Sequence, residues 1–321
     1  MKGFIILGLS VSSVLSAQTD STQIKEIQEV SFTRRLPVSK EIINVQKDLG
    51  SKNLGQDLPI LLKNQMSVVA TSDAGNGVGY TGFRIRGSAG TSINVMLNGV
   101  PYNDSESQGT FFVNIPDMAS SASQIVIQRG VGTSSNGAAS FGASVNILTK
   151  NPDEKPYVLG QFSAGSFNTM KTSFEAGSGK FLNNLFSVSA RYSTINSDGY
   201  IDRAFSKLNS YNINALFEKG NTKIRFLTFG GKEKTYQAWN GIDKATYESN
   251  PKFNYSGAIY DANWENIIGF YDNETDNYRQ NHYHLLWEQK LGKIWNLETT
   301  FHLTHGEGYY ENYKQDAKFS K

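Results

Sequence analysis

From Tyr157 onward, apolar and polar side chains alternate with a period of two in runs of about ten residues, and this constrains the fold more than any other feature. Phe186, Val188, Ala190 and Tyr192 interleave with Ser187, Ser189, Arg191 and Ser193. Tyr211, Ile213, Ala215 and Phe217 stand against Asn212, Asn214 and Glu218, and Trp295, Leu297, Phe301 and Leu303 against Asn296, Glu298, Thr300 and His302. Side chains two apart share a face of a strand, so each run has one greasy and one hydrophilic face. Seven antiparallel strands are predicted: 157–165, 170–177, 185–195, 208–218, 222–231, 281–290 and 294–305. Their connections alternate as well. Those at 178–184, 219–221 and 291–293 are compact, whereas 196–207 and 232–280 are long. Short turns on one rim and long loops on the other describe an outer-membrane barrel better than a soluble sandwich. A secreted carbohydrate-binding or adhesive β-protein is the alternative reading.

Composition removes several classes. Lys and Arg total 31 against 29 Asp and Glu, so the chain has no net field for nucleic acid. It has no cysteine, which excludes disulfides, thiolate metal sites and Cys nucleophiles, and only four histidines. His282 and His284 share a face, and a hairpin near Gly292 is expected to bring His302 opposite His282, as wet lumen residues rather than a metal site. Gly130-Val131-Gly132 lacks the third glycine of a dinucleotide loop, and Ser178-Gly179-Lys180 lacks the spacing of a phosphate loop; both read as turns. No nucleophile elbow or zinc-protease helix is present. The chain is read as non-enzymatic, with no cofactor and no metal.

Lys2, the apolar run Phe4 to Leu15 and Ser16-Ala17 have the order of a secretory signal peptide over 1–17, and the run is too short to span a membrane as a helix. Residues 18–40 read as a flexible polar arm, 41–152 as a small α+β domain, and 153–321 as the strand-rich part. In the middle part Leu54, Leu58, Leu61 and Leu62 suggest a helix that Pro59 makes irregular. Strands are expected at 83–86, 93–97, 124–128 and 145–148, with a turn at Asn98-Gly99. The loop 232–280 carries ten aromatic residues, from Tyr236 and Trp239 to Tyr278, and suits either a ligand lid or aromatic packing among loops.

Five ordered motifs carry a family resemblance: Phe83-Arg84-Ile85-Arg86-Gly87, Leu97-Asn98-Gly99-Val100-Pro101, Gln128-Arg129-Gly130-Val131-Gly132, Asn136-Gly137-Ala138 to Gly142, and Ser144 to Thr149. Together they resemble the plug domain of TonB-dependent outer-membrane receptors, with Val131 where members often have Pro. The resemblance implies an α+β plug domain followed by antiparallel transmembrane β-barrel strands, in a family whose plug sits inside a barrel of about 22 strands. With seven strands and no terminal aromatic strand, the barrel is expected to be incomplete here, the chain being the N-terminal part of a receptor.

It further implies residence in the outer membrane of a Gram-negative bacterium, contact with its lipid, and import of a scarce ligand, most often a ferric siderophore. A TonB-type energy-transducing protein is the implied partner. Glu29, Val30, Ser31, Phe32 and Thr33 resemble the TonB box, an extended segment suited to adding a strand to a partner's sheet. Arg86 and Arg129 match plug arginines that pair with barrel carboxylates as a latch, so that Arg86→Ala is expected to loosen the plug. The plug apices are expected at Asp73 to Thr81 and Tyr102 to Phe112, with Tyr80, Tyr102, Phe111 and Trp239 as ligand contacts.

Overall fold

A computed structural model describes residues 39–131 and 140–318. The signal-peptide, TonB-box and Asn136-Gly137-Ala138 assignments lie outside the described residues.

The first part of the chain builds β1 (Ser39–Asn44), β2 (Val68–Ser72), β3 (Thr81–Ile85), β4 (Ile93–Leu97), β5 (Val100–Pro101), β6 (Ala122–Arg129) and β7 (Ala143–Thr149). Five of these form one mixed sheet in the order β1-β6-β7-β4-β5, with β4 and β7 parallel, and β2 and β3 make a separate hairpin. Strand β4 is buried at every position, Ile93 to Leu97, because it lies inside the sheet with both faces covered. Ile125, Ile127, Val145 and Ile147 complete the middle of this core. Asn98 and Gly99 have φ of 52° and 80°, the pair of left-handed residues that a two-residue hairpin turn needs. The expected helix is one turn, α1 (Leu58–Leu61), with proline in its first turn. Leu58, Leu61 and Leu62 are buried, whereas Leu54 lies outside the turn and is exposed. A second turn, α2 (Met118–Ser121), leads into β6.

The second part is a single antiparallel sheet of seven strands. Its members are β8 (Pro156–Ala164), β9 (Met170–Phe181), β10 (Phe186–Ser197), β11 (Ser206–Lys219), β12 (Thr222–Tyr236), β15 (Thr275–Leu291) and β16 (Trp295–Tyr310). Every strand pairs with its neighbour in sequence. The up-and-down order replaces the sandwich alternative, which needs strands that cross between two sheets. Several strands run longer than predicted, β15 to 17 residues, mostly at the long-loop rim where the plug apices and loops support them. The short connections are 182–185, Gly220-Asn221 and 292–294, on one rim; 198–205 and 237–274 are on the other. Ser178-Gly179-Lys180 is inside β9, not a turn: the pairing with β10 slips between Ser187 and Ser189, and Gly179, at φ 66°, absorbs the bulge.

Burial in this sheet is inverted relative to a soluble protein. On β10, Ser187, Arg191, Ser193 and Ser197 are buried while Tyr192 is 52% exposed. Val158, Phe162, Phe174, Phe226, Leu285 and Phe301 also face outward. Polar side chains turned toward the plug and apolar ones turned away suit a strand with lipid outside. No described helix is long and apolar enough to cross a membrane.

The long connection holds α3 (Lys244–Ser249) and the hairpin of β13 (Ala258–Tyr260) and β14 (Ile267–Phe270). Most of its aromatics pack on one another: Phe253 on Tyr255 and Phe270, and Tyr260 on Trp264. The Arg203 guanidinium stands 3.5 Å from the Phe270 ring centre.

Candidate functional site: a cavity at the mouth and a buried latch

The two plug apices rise to the rim that carries the long loops. The first, between β2 and β3, reaches β10 through Asn76, whose amide donates to Ser197 Oγ at 2.6 Å. It reaches β15 through Tyr80, whose hydroxyl donates to the Asp276 carboxylate and lies 3.4 Å from Glu233 Oε1. The second apex is shaped by its own polar groups. Asn103 bridges Val95, Ile93 and Gln108, and Asp104 accepts from the Glu106 and Ser107 backbone. Tyr102 donates to the Phe111 carbonyl at 2.8 Å and packs on His282.

Between the apices and the inner wall of β12 and β15 lies a cavity of about 520 Å3. Tyr80, Tyr102 and Phe111 line it, with Asp104, Glu106, Ser107, Asn114, Glu233, Asp276, Tyr278 and Gln280. Three of the four expected contacts thus share one wall. Trp239 stands behind Tyr80, ring centres 5.5 Å apart and edge-on, as a support. Burial first, and then the charges of Glu233 and Asp276, push the Tyr80 phenol well above its ordinary pKa. Burial, with Tyr278, Glu233 and Asp57 behind it, does the same to Tyr102, so both phenols stay neutral donors. Below the apices Asp57 is buried, and burial raises its carboxyl to about 8 against the pull of Thr81, which donates to it at 3.0 Å.

The contact that clamps the plug to the strands was not foreseen. Asp117, just before α2, receives Lys171 Nζ of β9 at 2.6 Å on one oxygen and Arg191 Nη1 of β10 at 2.8 Å on the other. The three side chains are 0%, 2% and 4% exposed, so the ion pairs are dry. Ser193 and Ser120 donate to the same carboxylate, and Ser121 accepts from Arg191 Nε. Burial alone drives the Asp117 pKa up, but Arg191 and Lys171 outweigh it and hold the carboxyl below its ordinary value. A second clamp joins Arg225 of β12 to Thr149 Oγ1 at 2.6 Å and to the Lys150 carbonyl. The signal was present in the sequence: a charge on the inward face of an otherwise Ser/Thr strand is expensive unless a partner waits there.

The expected latch residues behave differently. Arg129 is buried, paired with Glu41 on the adjacent strand β1, and donates to the Met66 carbonyl at 2.9 Å. It therefore ties the plug's own edge together. Arg86 is exposed in a left-handed turn residue, φ 53°, and none of the ion pairs among the described residues joins it to a barrel carboxylate. The histidine register also differs: His302 stands opposite His284, and Thr304 opposite His282, because the hairpin turn falls at 292–294. His282 instead stacks on Phe229 and takes a 3.0 Å hydrogen bond with Thr304. No group of three His, Cys, Asp or Glu among the described residues is arranged for a metal.

Comparison with known proteins agrees with this architecture. Residues 33–144 match the family model of the TonB-dependent receptor plug domain. No curated protein sequence matches. The ferric citrate transporter FecA in its unliganded form superposes with a TM-score of 0.65 at 15% identity, over 86% of this chain and 41% of that one. The closed form of the ferric-catecholate import receptor Fiu from E. coli K12 gives 0.63 at 16% identity, over 85% and 37%. The ferric yersiniabactin uptake receptor FyuA from Yersinia pestis gives 0.61 at 14%, over 85% and 42%. The chain thus spans about two fifths of the length of these receptors. It carries a TonB-dependent receptor plug domain, set against antiparallel strands with the fold of those receptors' barrels.

Proposed function

We propose that the chain belongs to a receptor that imports a scarce ligand, a ferric siderophore, across the outer membrane of a Gram-negative bacterium. The observation that carries this reading is the cavity between plug apices and long-loop rim, walled by Tyr80, Tyr102 and Phe111. A ligand held there touches plug and strands at once, so binding can alter how the plug sits. The structural neighbours named above include a ferric citrate transporter and a ferric-catecholate import receptor, which supports iron chelates as the class.

Energy enters at the other end. Glu29 to Thr33 pairs with a TonB-type protein as an added strand, and pulling is borne by backbone hydrogen bonds. The latch that such pulling loads is Asp117 with Lys171 and Arg191; Arg129 keeps β1 on β6 while the plug moves. The test is radio-iron uptake by cells with and without the gene. Uptake is expected to need an energised inner membrane and to vanish with Val30→Pro, which removes a backbone donor from the added strand. Uptake indifferent to both, or absent for every ferric chelate, overturns the reading.

A further inference from the structure

The cavity has an unusual charge balance. Four carboxylates line it, Asp104, Glu106, Glu233 and Asp276, and no lysine or arginine does. Neither Glu233 nor Asp276 takes part in an ion pair with any described residue. Glu233 is 1% exposed, and its side-chain donors, Tyr80 and Thr235, both stand at 3.4 Å, too far to neutralise a buried charge. The nearest lysines in sequence, Lys232 and Lys234, alternate to the other face of β12 and leave it alone.

A second observation points the same way. Asn114 lines the cavity, is 8% exposed, and its Oδ1 accepts from no described donor. Buried acceptors without donors are costly, and this wall lacks positive donors. Tyr80, Tyr102, Phe111 and Tyr278 add ring faces, which attract cations but not anions. An all-anionic chelate entering here meets repulsion from four carboxylates, whereas an ammonium meets carboxylates, a free amide oxygen and aromatic faces.

We propose that the mouth cavity recognises a protonated amine, so that the imported chelate is one bearing an ammonium group. This rests on the siderophore reading above, and the experiment separates the two. The full chain in detergent micelles is titrated with four probes: the radio-iron complex of desferrioxamine B, which keeps a free ammonium; its N-acetylated, neutral form; an anionic ferric tricatecholate; and cadaverine, an iron-free diamine. The ammonium complex is expected to bind about tenfold to a hundredfold more tightly than the acetylated one, the range for a hydrogen bond to a charged group. The anionic complex is expected to bind most weakly. In the Glu233→Gln/Asp276→Asn variant the ratio of ammonium to acetylated complex falls close to one.

Equal binding of the acetylated complex, or tighter binding of the anionic one, overturns the ammonium proposal and leaves the siderophore reading standing. Binding of cadaverine with no ferric complex bound overturns the siderophore reading alone. No binding by any probe overturns both. Because acetylation changes the ligand and not the protein, the first comparison does not depend on any variant folding.

Discussion

Removing the Asp117 carboxylate leaves Lys171 and Arg191 facing each other in a dry interface with no counter-charge. Breaking a buried ion pair from one side costs about 3–5 kcal/mol, because the remaining charge is uncompensated. Asp117→Ala is therefore expected to weaken plug docking by that amount. With a urea slope of about 1–3 kcal/mol/M for a unit of this size, the plug's unfolding midpoint falls by roughly 2 M. The assay is urea titration of the detergent-embedded chain, followed by hydrogen exchange of β6 and α2. A matched control removes the cations too: Asp117→Ala with Lys171→Met and Arg191→Met replaces the network by apolar groups and recovers most of the loss. A midpoint shift below about 0.3 M for the single variant refutes the reasoning. So does a triple variant no better than the single one.

Acid should release the same clamp. The folded pKa of Asp117 lies below its unfolded value of about 3.9, so its contribution is complete above that value and is lost as pH falls through the lowered folded one. Docking measured by exchange should be flat at neutral pH and fail only in strong acid. Asp57 has the opposite sign: with its folded pKa near 8, plug stability declines as pH rises from about 4 to about 8, and Asp57→Asn removes that decline, a gain on the order of 2 kcal/mol at pH 8. A pH-independent stability in the parent chain contradicts this. At Gly231 an added Cβ meets Pro116 Cδ at 2.4 Å and the Asn114 carbonyl at 2.6 Å, so Gly231→Ala should push the second apex off β12, costing about 1–3 kcal/mol and closing part of the cavity. Trp239→Ala should lower affinity for a bound chelate modestly, through loss of the edge contact behind Tyr80, while Tyr80→Phe changes affinity more because its hydroxyl holds Asp276; equal effects contradict the assigned roles.

The strands were legible because period-two alternation between polar turns places every apolar side chain on one face only if the backbone is extended, and both the number of strands and the rim of short turns could be read from it. Register was less legible. One residue of turn length decides whether His302 meets His282 or His284, and sequence alone does not fix turn length. The bulge at Gly179 was read as a turn for the same reason, since glycine marks both. Three aromatics of the cavity could be picked out because the apices are Gly/Ser/aromatic loops between recognisable strands. Glu233 and Asp276 could not, because on paper they are ordinary charges among lysines and asparagines. The Asp117 clamp joins residues 54 and 74 positions apart, a pairing that only the docking of the plug creates.

Environment on the two faces of one strand decides the central claim, that these strands stand in lipid with the plug on their inner side. The chain has no cysteine, so a single introduced cysteine reports from one site. Probes at Tyr192→Cys and Ser193→Cys, measured in the outer membrane of the expressing cells, should differ completely. The label at 192 should be quenched by brominated lipid and hidden from water-soluble reagent, and the thiol at 193 should be shielded from both by the plug. Equal access of water-soluble reagent to 192, or lipid quenching at 193, would contradict the account.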